Sequence, residues 1–241
     1  MTDAPTLFVL TGAGISAESG LGTFRDKGGI WSKFDPMKLA TPEAFAADPT
    51  HVHAFYNARR QNLLAAAPNP AHAALARLEA ALEEAGGRLH LVTQNIDDLH
   101  ERAGSRRVIH MHGELLKARC LHCEEVVETR VDLSTAQACG ACGRAGGMRP
   151  HVVWFGEIPL FMDEIETALL EADLFVAIGT SGSVYPAAGY VGLARRAGIP
   201  THEINLEPSD NAHLFDGADY GPASEAVPVF VERMLAELRE G

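Results

Sequence analysis

The chain's four cysteines stand as Cys120-x-x-Cys123 and Cys139-x-x-Cys142, with fifteen residues between the pairs. That spacing matches a two-knuckle zinc pattern. Four thiolates close a tetrahedral site and leave no position for a catalytic water, so one structural Zn2+ is expected. In a reducing compartment two close pairs favour metal over disulfides. The alternative, four free buried thiols, suits poorly a segment too small for a sizeable core of its own.

A second constellation is Gly12-Ala13-Gly14-Ile15-Ser16-Ala17, a G-x-G-x-x-A match directly after the apolar run Thr6 to Leu10. Small residues here let the backbone approach a pyrophosphate, and amides opening the next helix can donate to it. A tight strand-to-helix turn without a ligand is the alternative. A simple dehydrogenase would next show a strand ending in an acid about 20 residues on. That stretch, Phe24 to Trp31, mixes glycine and charge like a loop, so hydride transfer is disfavoured. Farther along, Tyr56 and Arg59 lie three residues apart in a helical stretch and project from one face. Arg60 is expected to rotate away into solvent. His110 and His112 are expected to share a strand face.

These residues need a scaffold. With 241 residues, 46% hydrophobic and 22% charged, the chain can bury a core in one large domain plus a small insert. Strands are expected at Thr6–Leu10, Leu89–Thr93, Val108–His112, Leu174–Ile178 and Thr201–Leu206, with a further extended run at His151–Phe155. Helices are expected at Pro42–Asp48, Thr50–Ala67, Pro70–Ala85, Pro159–Ala172, Tyr185–Ala197 and Ser224–Glu240. This alternation predicts an α/β fold, a Rossmann-like parallel sheet domain with a small zinc-binding and helical module. The expected division is a sheet domain over 1–39, 86–116 and 148–241, a helical module over 40–85 and a zinc-binding module over 117–147. The net charge of −12 argues against a nucleic-acid partner. No apolar run is long enough to span a membrane, and the N-terminal stretch lacks a basic leader region, so the expected location is the cytoplasm.

The ordered motifs resemble those of one family. Gly12 through Gly20 followed by Thr23-Phe24-Arg25 is similar to the sirtuin NAD-binding motif. Thr93-Gln94-Asn95-Ile96-Asp97 and His112-Gly113-Glu114 resemble the second and third motifs, and Gly179-Thr180-Ser181 and Asn205-Leu206-Glu207 two further cofactor segments. The match spans about Thr6 to Phe230 and is nearest the bacterial class III sirtuins, which include desuccinylases. Gly22 departs from it, since many sirtuins carry proline there; a looser loop is expected.

The resemblance implies an NAD-dependent protein-lysine deacylase with NAD as co-substrate. The acyl oxygen attacks the ribose C1′ as nicotinamide leaves, giving an alkylimidate. A histidine then activates a ribose hydroxyl, and lysine and O-acyl-ADP-ribose follow. His112 takes the role of base, suited by the ordinary pKa of histidine. Asn95 and Asp97 fall at the nicotinamide pocket, with Asp97 capping the next helix as the plainer alternative. The implied cofactor set is Gly12, Ala13, Gly14, Ser16, Ala17, Glu18, Thr23, Phe24, Arg25, Trp31, Gln94, Asn95, Ile96, Asp97, Gly179, Thr180, Ser181, Asn205, Leu206, Glu207 and Ala223. Within it, Ser16 and Gln94 are expected on ribose or phosphate, Arg25 against pyrophosphate charge, Phe24 over the ribose, and Asn205 and Glu207 on the adenosine ribose.

The segment His151 to Glu157, with Val153, Phe155 and Gly156, resembles the one that pairs with substrate backbone; by apolar pattern alone it is a core strand. In class III sirtuins a tyrosine and arginine spaced as Tyr56 and Arg59 sit at the acyl pocket, where they can hold a succinyl or malonyl carboxylate. A surface arginine paired with an acid is the alternative. Acyl-lysine proteins are the implied partners, and a monomer the implied state. ADP-ribosyl transfer and a non-catalytic NAD-sensing or zinc-mediated module are the competing functions. The intact set of His112, Asn95 and Asp97 disfavours the module.

Overall fold

A computed structural model describes residues 5–23 and 35–240. Phe24, Arg25 and Trp31 therefore lie outside the described residues. The first strand, β1 (Thr6–Thr11), carries the apolar run Leu7 to Leu10 between two threonines, and five of its six residues are buried. Such a run marks a strand covered on both faces. It pairs in parallel with β2 (Arg88–Thr93) and β7 (Leu174–Ile178). Alternation divides its side chains between two cores. Leu7 and Val9 pack with Leu75, Leu78, Val227 and Phe230. Phe8 and Leu10 pack with Ile165, Leu169, Phe175 and Tyr190. Full burial of one such side chain is worth roughly 1.5–3 kcal/mol.

Among the described residues, the large sheet has six parallel strands in the order β3-β2-β1-β7-β8-β9, where β3 is Val108–His110, β8 Thr201–Asn205 and β9 Gly217–Tyr220. The chain builds outward from β1 to one edge, returns, and builds to the other. The reversal between β1 and β7 opens a crevice at their carboxyl ends, where ligands of open α/β sheets bind. Helices Pro70–Ala85 and Ala223–Glu240 cover one face, and Met162–Leu170 and Tyr190–Arg196 the other.

A smaller antiparallel sheet joins β4 (Gly113–Cys120), β5 (Val126–Glu128) and β6 (Met148–Val152) in the order β5-β4-β6. Strand β4 begins at the residue after His112 and ends at the first cysteine. Gly113 has φ +77, and a Cβ there would lie 2.2 Å from the His151 carbonyl oxygen, so glycine alone lets the two sheets part at this point.

The structure corrects several sequence expectations. The extended run expected at His151–Phe155 is strand Met148–Val152, paired in the small sheet rather than the large one. Strand Val108–His112 stops at His110. Helix Thr50–Ala67 runs from Pro49 to Ala65, with Pro49 in its first turn and the Asp48 carboxylate accepting from His51 N at 2.9 Å. Proline suits that position because its missing N–H has no helical partner to lose. Helix Tyr185–Ala197 reduces to Tyr190–Arg196 behind a short 3-10 turn. Strand β9 was not anticipated; Gly217-Ala218-Asp219-Tyr220 carries too little apolar pattern to announce an edge strand.

Candidate active site

The Gly-rich turn leaves β1 and meets the end of β7. Gly12 N donates to Ile178 O at 2.9 Å and Gly14 N to Gly179 O at 2.8 Å. A Cβ on Gly12 would stand 2.7 Å from Gly179 O, one on Gly14 2.7 Å from Gly179 Cα, and one on Gly179 2.5 Å from Ile15 N. These glycines thus pack two loops backbone to backbone at the crevice. Glu18 reaches the last helix, where its carboxylate accepts from Ser224 N at 2.8 Å and Ser224 Oγ at 2.7 Å. That contact brings Ala223 beside the first loop. Asn205 Nδ2 donates to Thr180 O at 2.7 Å and its Oδ1 accepts from Leu206 N at 3.0 Å. Ser181 Oγ lies 2.8 Å from Ser183 Oγ. Leu206 and Glu207 are exposed.

The second motif folds against the first. Gln94 N donates to Thr11 O at 2.9 Å. Asn95 Nδ2 donates to Gly12 O at 3.1 Å and to Ser16 Oγ at 3.2 Å. Ser16 Oγ donates in turn to Asp97 Oδ2 at 3.0 Å, while Asp97 Oδ1 accepts from Leu99 N at 3.2 Å. The N-cap of the short helix Leu99–Arg102 is Asp98, not Asp97; Asp97 takes only the Leu99 N–H and also faces the pocket. Burial pushes its carboxyl above the usual range, against the pull of those hydrogen bonds.

His112 Nδ1 lies 3.0 Å from Gln94 O. A carbonyl only accepts, so Nδ1 carries the proton and Nε2 the lone pair. Burial lowers the pKa of this imidazole below its ordinary 6.5, with the Gln94 hydrogen bond opposing. A neutral ring with its lone pair on Nε2 is the form a general base requires.

A cavity of about 470 Å³ joins Ala13, Ser16, Asn95, Ile96 and Asp97 on one side to Phe55, Ala58 and Arg59 of helix Pro49–Ala65 on the other. Burial pulls the Arg59 guanidinium below its ordinary pKa, while Tyr56 and Asp97 oppose the shift. It also stands 5.6 Å from the Phe55 ring centre. Tyr56 is buried, its OH accepting from Trp154 Nε1 at 3.0 Å, and burial raises its pKa to about 12. Arg60 is not solvated: it is 0% exposed, with Nε on Leu115 O at 3.2 Å and Nη1 on Asn57 Oδ1 at 2.7 Å. Strand β4 covers that helix face and supplies the carbonyl.

In the segment after β6, Val153 N donates to His112 O at 2.8 Å and Phe155 N to Ala40 O at 2.9 Å. Gly156 turns with φ +90. Sequence reasoning missed the anchors of this turn. Glu157 accepts from Arg149 at 2.6 and 2.9 Å and from Trp154 N at 2.8 Å, and the Arg149 guanidinium stacks 3.3 Å from the Trp154 ring centre. No local motif marks such a pairing.

All four cysteine sulfurs lie within 4.8 Å of one another. Cys120 Sγ is 3.8 Å from Cys142 Sγ, and Cys123 Sγ 3.7 Å from Cys139 Sγ. A tetrahedron with Zn–S bonds of about 2.3 Å has edges of about 3.8 Å, so the thiols fit zinc. The eight-residue strand β4 separates Cys120 from His112 by roughly 25 Å at 3.3 Å per residue. The metal is thus structural. Asn57 fastens this module to helix Pro49–Ala65, its Nδ2 donating to Leu133 O and its Oδ1 accepting from Leu133 N, both at 2.9 Å.

Among the described residues, no helix is long and apolar enough to cross a membrane. The Sir2 family model matches residues 12–186. An NAD-dependent protein deacylase of Caulobacter vibrioides is 66% identical over 232 residues, covering 96% of this chain and 98% of that one. A Sir2 homologue crystallised with NAD superposes with a TM-score of 0.87 at 40% identity, covering 97% and 90%. A Sir2 structure holding a deacetylated p53 peptide and 3′-O-acetyl ADP-ribose gives 0.78 at 30% identity, covering 96% and 93%.

Proposed function

For a chain that belongs to the Sir2 family and is an NAD-dependent protein deacylase, we propose that the groups removed from lysine include succinyl and malonyl as well as acetyl. The observation that carries this reading is the Arg59 guanidinium on the wall of the cavity that also holds Asn95 and Asp97. Arginine offers a planar fork that can bind a carboxylate through two parallel hydrogen bonds. Tyr56 lies buried on the same helix with its oxygen accepting from Trp154, and in this reading its phenol donates to the same carboxylate.

Bound NAD supplies the ADP-ribosyl group that receives the acyl chain, and the products are lysine, nicotinamide and O-acyl-ADP-ribose. On the protein side, Asn95 and Asp97 hold the nicotinamide carboxamide, and His112 Nε2 takes a proton from a ribose hydroxyl. The glycine turn, Thr180, Ser181 and the residues after β8 take the rest of the dinucleotide. The backbone of Val153 to Gly156 meets the substrate peptide as an edge that reads little side-chain sequence.

Matched acetyl-, malonyl- and succinyl-lysine peptides test the proposal. Charge-assisted hydrogen bonds are worth about 1.5–3 kcal/mol each, so Arg59→Met should lower desuccinylation at least ~10-fold and leave deacetylation largely intact. Equal losses on both substrates would assign Arg59 to the fold instead.

A further inference from the structure

We propose that His110 is a positioning residue for the catalytic turn, an imidazolium clamped between the Glu101 carboxylate and the Asn95 carbonyl. Its Nε2 lies 2.6 Å from Glu101 Oε1 and its Nδ1 3.3 Å from Asn95 O. Both partners accept only, so both ring nitrogens must carry protons to satisfy them. The ring is buried, whereas the Glu101 side chain is 39% exposed.

The clamp extends a pattern begun next door. Met111 N donates to Thr93 O at 3.1 Å, His112 Nδ1 holds Gln94 O, and His110 Nδ1 holds Asn95 O. Three successive carbonyls of the turn that carries Asn95 are thus fixed by three successive residues, 110 to 112. A neutral His110 has one N–H and must release either Glu101 or Asn95 O. Releasing Asn95 O frees the turn whose side chain enters the pocket.

The charged groups facing the ring favour its charge. Glu101 comes from helix Leu99–Arg102, Asp97 from the turn, and Glu114, itself paired with Lys117, from β4. His100 opposes it little, because burial holds its pKa well below the ordinary value and keeps it neutral. Burial alone would lower the pKa of His110, yet Glu101 raises it above 6.5. The pKa of His110 is thus raised and that of His112, two residues on, lowered.

The clamp is present while His110 is protonated and is lost as pH climbs through its raised pKa, so it shapes the alkaline limb of turnover. The proposal rests on His112 as base, but its first test does not. Ring 15N shifts of His110 in the full chain at neutral pH should report two protonated nitrogens. Next, kcat/KM on an acetyl-lysine peptide should show the alkaline limb moving acidward by about one pH unit in Glu101→Gln, since one charge-assisted bond is lost. His110→Asn, which keeps a donor near Nδ1 and cannot titrate, should flatten that limb, and His110→Leu should lower kcat at every pH. If His110→Leu fails to fold, the ring shifts and Glu101→Gln still decide. A singly protonated ring, or superimposable alkaline limbs in wild type and Glu101→Gln, would overturn the proposal.

Discussion

His112 Nδ1 and the Gln94 carbonyl oxygen stand 3.0 Å apart, and this one contact decides which nitrogen of the base is free. His112→Asn should keep a donor on Gln94 O but has no lone-pair nitrogen. Removing a general base typically lowers turnover about 10²–10⁴-fold. NAD binding, followed by calorimetry, should remain measurable. Because burial depresses the His112 pKa, the wild-type acid limb should fall below pH 6.5, with activity rising as the ring loses its proton. Turnover near wild type in the folded variant would move the base elsewhere.

Elemental analysis of purified protein should find about one zinc per chain. Cys139→Ser should release the metal and unfold the cysteine module. Because Asn57 fastens Leu133 to the helix carrying Arg59, activity should fall without any change at the reacting atoms. Fully active protein that contains no zinc would contradict the assignment.

Tyr56→Phe removes the acceptor of the buried Trp154 Nε1–H. An unsatisfied buried donor costs about 1–3 kcal/mol, so the denaturation midpoint should drop accordingly. Desuccinylation should fall more than deacetylation. A variant as stable as wild type would mean that the indole finds another partner.

His72 links stability to acid. Burial lowers its pKa from 6.5 to about 4, against the Asn69 backbone hydrogen bond. The unfolded chain takes a proton below pH 6.5, whereas the folded chain refuses it until about 4. Stability should therefore decline across that window, by about 3 kcal/mol from this group. Urea titrations at several pH values should show a shallower decline in His72→Gln; identical slopes would exclude the linkage.

Residues whose chemistry is local could be read directly. The spacing of the cysteines implies a tetrahedral site, and the apolar run before Gly12 implies a buried central strand. What escaped depends on partners far along the chain. Arg60 reads as a surface cation because its carbonyl partner on Leu115 lies 55 residues away. Arg149, Trp154 and Glu157 form a lock only after the chain turns at Gly156. The segment at His151 has the composition of a core strand, and only its antiparallel pairing with β4 shows that it belongs to the small sheet. His110 and His112 look alike in sequence; the carboxylate of Glu101 beside one and not the other separates them.

The contact among Gly12, Gly14 and Gly179 also limits how this gene can vary. A side chain at any of the three meets backbone or a second glycine within 2.5–2.7 Å. Ordinary steric defects can be suppressed by shrinking the neighbour, but here the neighbours have nothing left to remove. Substitutions at these positions should therefore lack second-site revertants within the crevice. A library that randomises the three positions separately should therefore sample mostly inactive sequences.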